Sequence, residues 1–490
     1  MSGKTNRTIV MAAMMVATFL AAIEGTVVST AMPTIVGDLH GIHLMNWVFS
    51  VYFLLSAVTV PIFGKLADLY GRKKVFIIGT FIFLIGSTLC GLSQTMAQLI
   101  AFRVIQGIGA GALLPVTATI VADIYPYEQR AKMMGFIGLV WGVSGVLGPL
   151  VGGFFVDQLT WHWIFFINIP FGLITIVMVA FFFKENIEKN TKRIDFFGAL
   201  TFSLGMFLFL YAFQKGGEHN EWASPTILLS FTAALLLLAL FLWMESKVSE
   251  PLIPLSLFRI HTVSVANVTA LIVTIVLIGH AVYMPMWIQG VLGYSATISG
   301  LAVSPMSVLW TVGSFLSSKL LINKGMRFTT MVGVGFLSIG TLLLTTITTA
   351  TPLIVLAFIS AFLGIAFGLV ITTTTVSVQS VVDWSLRGVA TASNAFSRNL
   401  GQTMGAALLG TFFNARITAY LTQHYPSENV DTEQLNHLIS THTAQHIPET
   451  MRSVLRDVLV HGIHNVFIAF IAITLMALLI AGLLPRHKAE

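Results

Sequence analysis

The sequence predicts an all-α membrane protein with fourteen transmembrane helices, and three observations carry that expectation. First, 56% of the 490 residues are apolar and only 9% charged, against about 25% charged in an ordinary soluble domain. A mean hydropathy of +0.87 is more apolar surface than a water-facing fold can hide. Second, apolar runs recur that match the roughly 20 residues, at 1.5 Å each, needed to cross a hydrocarbon core. Third, Lys and Arg gather in short clusters between the runs, on one side of the expected bilayer. The net charge of +6 therefore points to orientation in a membrane rather than to nucleic acid.

In chain order the runs fall at about 8–31, 45–67, 75–92, 98–123, 131–155, 163–183, 195–214, 225–244, 263–289, 297–320, 329–349, 353–378, 388–420 and 461–484. The segment from Met1 to Arg7 is short and basic. The run after it is too long for a signal-peptide core, so it is expected to be retained as the first helix. With the N-terminus in the cytoplasm, twenty of the 26 basic residues face inward and four (Lys215, Arg416, Arg452, Arg456) face outward, while Arg103 and Arg398 lie inside spans. Both termini are thus expected in the cytoplasm. The single cysteine, Cys90, excludes internal disulfides.

Internal symmetry divides the chain. Arg130, Gly148, Gly153 and Phe155 reappear 257 residues later as Arg387, Gly405, Gly410 and Phe412, the pattern of a transporter built from repeats around a midplane site. The expected organisation is a six-helix N-terminal bundle (1–185), a two-helix linker insertion (186–250) and a six-helix C-terminal bundle (251–490) with an outer loop at 421–460. In that loop Asp431 and Gln434 form a capping pattern, and Pro448 opens a stripe of Met451, Leu455, Val458 and Leu459. It gathers His424, His437, His442 and His446, with His461 and His464 following. His442 and His446 could share a helix face, but no Cys or acid completes a metal site, so a solvated loop is expected.

Glu24 stands inside the first span. An ionised carboxylate at the middle of such a helix costs about 2.5 to 3.5 kcal/mol, so it is either a protonated, tolerated Glu or, the reading favoured here, a carboxyl that binds proton or substrate. Glu24 and Arg103 each lie about six or seven residues, or roughly 10 Å, from the outer end of their spans, so the two could meet. A guanidinium favours the ionised carboxylate and burial the neutral one, so such a pair is poised to exchange a proton. The alternative for Arg103 is a structural role bonded to carbonyls.

Between the second and third spans stands Gly64-Lys-Leu-Ala-Asp68-Leu-Tyr-Gly71-Arg72-Lys-Lys74. Gly71 permits a tight turn, and Asp68 can cap the third helix or pair with Arg72. The stretch resembles the loop motif of the major facilitator superfamily, in which these residues form a charge latch holding the cytoplasmic side closed. The resemblance makes Asp123 its third member. The run from Leu99 to Gly111 is similar to the family motif whose buried Arg, here Arg103, is associated with proton transfer. Gly135, Ser144, Gly148, Pro149, Gly152 and Gly153 resemble the antiporter signature of drug-exporting members, with Ser144 in place of the usual Gly.

Further stretches resemble the fourteen-helix drug:proton antiporter branch. They are Ile23 to Val28 with Ala31 to Pro33, where Glu24 stands for the usual Asp; Pro285, Gln289, Gly293, Gly300 and Pro305; and Arg398, Asn399, Gly401 and Gly405. No acid lies well inside a C-terminal span. The polar candidates there are Asn267, His280, Gln289, Thr372 to Thr375, Gln379 and Arg398. His280 is either a second proton site or, more commonly for a lone span His, a hydrogen-bonded packing residue. Tyr283, Met284, Met286 and Trp287 suit an adaptable pocket or core packing equally.

What the resemblance implies is a multi-pass, monomeric bacterial inner-membrane transporter, not an enzyme, that works by alternating access in the lipid bilayer and exports small amphipathic, cationic compounds in exchange for protons. No nucleotide-binding motif, metal or other cofactor is expected, the proton gradient being the energy source. The alternatives are export of a particular lipid precursor or signalling metabolite on the same fold, and a non-transporting membrane sensor or scaffold.

Overall fold

The computed structural model describes residues 5–125, 127–185, 196–218, 222–248, 251, 255–382, 387–425 and 449–485; the side chains of some helical positions, Asp68, Arg130 and Arg387 among them, lie outside the described residues. The helices are α1 (Arg7–Leu39), α2 (Met45–Tyr70), α3 (Arg72–Gly91), α4 (Met96–Ile124), α5 (Tyr127–Gln158), α6 (Trp163–Phe166), α7 (Asn168–Phe182), α8 (Phe196–Glu218) and α9 (Pro225–Glu245). They continue with α10 (His261–Met286), which runs on as a π-helical turn (Trp287–Val291), then α11 (Ala296–Val303), α12 (Pro305–Lys324), α13 (Met326–Leu344), α14 (Leu353–Ser380), α15 (Arg387–His424) and α16 (Glu449–Ala481). All fourteen expected stretches are helical. Among the described residues twelve spans are long and apolar enough to cross a membrane. The two that are not are α8, whose apolar part is only Phe197–Ala212, and α15, which is 38 residues long but studded with polar side chains.

Several elements differ from expectation for identifiable reasons. Helix α1 is capped by Asn6, whose side chain accepts the Ile9 N–H at 3.3 Å. It passes through Pro33 and ends at Leu39, two turns beyond the expected end; inside a membrane bundle, neighbouring helices and hydroxyls such as those of Ser29 and Thr30, both donating to the Thr26 carbonyl, tolerate the proline. The sixth span breaks at Ile167 between α6 and α7, because Pro170 lacks an N–H and its ring crowds the carbonyl four residues back. Pro305 breaks the tenth span at Ser304 in the same way. The Met451 to Leu459 stripe is no separate loop helix but the first turns of α16, which no proline interrupts. Asp431, Gln434, Pro448, His437, His442 and His446 lie outside the described residues.

Helix α1 packs along α5 and α10 along α15, while α4 is wedged between α2 and α3, and α14 between α12 and α13. Contacts between the N-terminal and C-terminal helices run through α5 with α11 and α12, α2 with α15, and α1 with α10. The sequence repeat is visible in these pairs. A Cβ at Gly148 would strike Thr26 of α1, and one at Gly405 would strike Ile275 of α10. Five residues on, one at Gly153 would strike the backbone of Thr297 in α11, and one at Gly410 would strike Asn46 of α2. Each repeat glycine thus serves first a close approach within its own set of helices and then one across the seam. Helix α8 lies over that seam, with Phe202 against Phe396 of α15 at 5.5 Å and Phe207 against Trp47 of α2 at 6.1 Å. Helix α9 packs on α8 and exposes Leu229, Leu235 and Leu236, as a lipid-facing helix does.

Candidate functional site

Glu24 and Arg103 form an ion pair with both side chains fully buried. The longer α1 places Glu24 near its middle, about 25 Å along the axis from Arg7, rather than close to the outer end as expected. The two still meet because the last turns of α1 extend past the start of α4. Helix α4 reaches this depth through its glycines: Gly107 lies against Tyr52 of α2, Gly109 against Phe83 of α3, and Gly111 against Thr59 of α2. No side chain at those positions would allow α4 to sit so tightly between its neighbours.

Around the pair a polar nest is drawn from α1, α2, α3, α4 and α7. Arg103 Nη1 also donates to Gln106 Oε1 at 2.8 Å, one turn away on the same helix face. Arg103 Nε donates to the Val48 carbonyl at 3.2 Å, and the guanidinium lies 4.0 Å from the Tyr52 ring centroid, one turn further along α2. The other carboxylate oxygen of Glu24 accepts from Asn168 Nδ2 at 2.9 Å, and that amide also donates to Ser87 Oγ at 2.9 Å. Asn168 is in reach because the break before Pro170 makes it the first residue of α7. Among the described residues Arg103 Nη2, Gln106 Nε2 and Asn168 Oδ1 are buried without a protein partner. Arg103 thus bonds both the Val48 carbonyl and the Glu24 carboxylate.

Toward the end of the bundle where α1 finishes, hydrogen bonds cross the seam. Gln289 Nε2, in the π-helical turn, donates to the Thr30 carbonyl at 3.0 Å; π-turns of this kind are frequent at functional positions. Asp157, at the end of α5, accepts the N–H groups of Ala296 and Thr297 at 3.2 and 2.9 Å, so its carboxylate caps α11. Ser50 donates to the Thr403 carbonyl at 3.4 Å. Of the expected antiporter-helix residues, Pro149 and Gly153 meet α11 at this seam, Pro149 with its carbonyl against Gly300, while Gly148 and Gly152 pack on α1, Gly152 against the Val27 carbonyl. Nearby, burial holds His162 below its usual value, with the charge of Asp38 opposing the effect.

The C-terminal candidates divide. Arg398 joins a polar cluster of α10, α14 and α15: its Nη1 donates to Thr375 Oγ1 at 3.3 Å, Thr375 Oγ1 donates to Asn394 Oδ1 at 3.0 Å, and Asn394 Nδ2 donates to Asn267 Oδ1 at 3.1 Å. Gln379 is tied to Thr391 at 2.9 Å. His280 is fully buried, and neither ring nitrogen has a hydrogen-bond partner among the described residues, so the hydrogen bond expected of a packing histidine is not made. Tyr283 and Trp287 are fully buried against Phe413 and His464.

At the basic end, Arg72 pairs with Asp123, and Gly71 takes the turn conformation with φ of 93°. The Asp68 side chain lies outside the described residues. At the α3 N-terminus the Glu185 carboxylate accepts the N–H groups of Arg72 and Lys73 at 2.9 and 3.1 Å. Sequence reasoning missed Glu185, Asp157, Gln106 and Asn168. For Glu185 a signal existed, an acid just past the sixth span beside a basic turn.

A helical bundle with a buried ion pair and a glycine-lined seam defines a class, the polytopic transporters, and similarity makes it particular. The family model of the Major Facilitator Superfamily matches residues 14–406, and the chain belongs to that superfamily; it is a transport protein, not an enzyme. It is 36% identical over 419 residues to the multidrug transporter protein MdtP of Bacillus subtilis (strain 168), covering 86% of this chain and 77% of that one. It is 34% identical over 472 residues to multidrug resistance protein 3 of the same organism, covering 94% and 92%. Among solved structures, an inward-facing bacterial homologue of the human lysosomal transporter Spinster shares the fold, with a TM-score of 0.68 at 16% identity over 99% of this chain and 98% of that one.

Proposed function

We propose that the protein is a proton-coupled efflux antiporter of the cytoplasmic membrane that exports amphipathic compounds, acting as a monomer with both termini inside. The observation that carries this is the Glu24 and Arg103 pair, an acid and a base buried together among helices long and apolar enough to span a membrane. The names of the relatives support export of varied compounds.

In the ionised state Glu24 is held by Arg103 and Asn168. When a proton arrives on the carboxylate, the charge that holds Arg103 is removed; Arg103 keeps Gln106 and the Val48 carbonyl, and the carboxyl becomes neutral and compatible with a dry site. Release of α1 from α4 changes the packing along α5, because Gly148 and Gly152 lie directly on the Thr26 to Thr30 segment. That segment also carries the Thr30 carbonyl bonded by Gln289, so protonation at Glu24 is mechanically linked to the seam. With the seam bonded on the outer side, substrate would enter from the cytoplasm and leave after the outer contacts open. Dye efflux measured in everted vesicles tests this: accumulation driven by an imposed proton gradient and abolished by an uncoupler is expected, and accumulation indifferent to the gradient would contradict it.

A further inference from the structure

Arg398 differs from the other intramembrane arginine in having no counter-charge among the described residues. Between Leu255 and Tyr425 the sequence holds a single acid, Asp383, which precedes α15 and lies outside the described residues. Among the described residues Arg398 makes no ion pair, and its one side-chain hydrogen bond is the 3.3 Å contact to the Thr375 hydroxyl. It sits about 16 Å along α15 from Arg387, a depth at which an unpaired guanidinium costs about 2.5 to 3.5 kcal/mol.

The surroundings do not resolve this cost. Asn267, Ser393 and Asn394 are buried and their oxygens already accept: Ser393 Oγ from Asn267 Nδ2 at 3.0 Å, Asn267 Oδ1 from Asn394 Nδ2, and Asn394 Oδ1 from the Thr375 hydroxyl. Arg398 stands over them partly exposed, with its backbone carbonyl fixed by the Thr274 hydroxyl at 3.1 Å. A guanidinium presents five N–H donors in a planar fork that matches a carboxylate. Here one donor is used weakly, so a fork with the remaining donors is held on a rigid, neutral platform of α10, α14 and α15. That platform fixes the base of the side chain without neutralising it.

We infer that Arg398 is the receptor for a carboxylate or similar anionic group on the transported compound, so that the protein accepts amphipathic acids and zwitterions as well as the cations expected from Glu24. This rests on the efflux reading for its physiological meaning but not for its test. The probes are rhodamine B, which carries a free carboxylate, and its ethyl ester, which has the same body without that charge. Binding of each to the purified full-length chain is followed by fluorescence anisotropy.

Arg398→Gln should weaken rhodamine B about tenfold or more, the worth of a charge-assisted hydrogen-bonded pair, and change the ester by less than about twofold. Arg398→Lys should fall between, since it keeps the charge but loses the fork. Unchanged ester binding reports that the variant is folded. Equal losses for both dyes, no loss for either, or wild-type protein that fails to bind the free acid would overturn the inference. Vesicles carrying the same proteins separate the two claims: absence of gradient-driven transport of either dye contradicts the efflux reading, while the binding comparison still decides the role of Arg398.

Discussion

The two intramembrane arginines are the same residue type in opposite situations. Arg103 is fully buried, paired with Glu24, bonded to Gln106 and Val48 and stacked on Tyr52, so most of its fork is committed. Arg398 is partly exposed and, among the described residues, touches one hydroxyl and meets no carboxylate. A charge whose partner is built in stores a switch, because changing protonation of the partner releases it. A charge whose partner must come from outside is a receptor. On the reading proposed above, the N-terminal helices hold the first kind and the C-terminal ones the second.

Removing each arginine sharpens this contrast. Arg103→Leu strands Glu24 as an unpaired buried acid, and breaking a buried pair in this way costs about 3 to 5 kcal/mol; the apparent Tm of the purified protein should fall clearly. The same substitution at Arg398 should leave Tm nearly unchanged or raise it, since nothing charged is left behind. Equal losses at the two sites would erase the distinction.

A smaller effect is expected at the seam that links the two regions. Gly153 lies on the Thr297 backbone with no room for a Cβ, and overpacking of this kind costs about 1 to 3 kcal/mol. Gly153→Leu should therefore favour the state in which the outer seam is open. A cysteine replacing Thr34, buried one turn beyond Thr30 on α1, should then react with an impermeant thiol reagent about tenfold faster, the change that about 1.4 kcal/mol produces. Unaltered labelling would show that the α5 and α11 contact does not control the seam.

How much of this was legible in the sequence follows from how rare each signal is. Charges are so scarce in the spans that Glu24 and Arg103 stood out, their similar depth and the resemblance around Arg103 suggesting the pair, and hydropathy alone located all fourteen helices. Helix ends were less legible: Pro33 is absorbed by α1, whereas Pro170 and Pro305 each break a span, and the difference depends on neighbours that only the packed bundle supplies. Asn168, Gln106 and the capping carboxylates Asp157 and Glu185 were invisible for another reason. Polar residues near helix ends are common, and what singles these out is a contact with a distant helix.

The most direct test of the coupling claim is substrate-induced proton release from detergent-purified protein in weakly buffered solution, wild type beside Glu24→Gln. An incoming cation and a proton compete for the same carboxyl, so the wild type should release about one proton per monovalent cation bound, and Glu24→Gln, which cannot ionise, should release none while still binding neutral compounds. Equal release from the two proteins would contradict the account and move the coupling proton to another group, with the buried and unbonded His280 the first to examine.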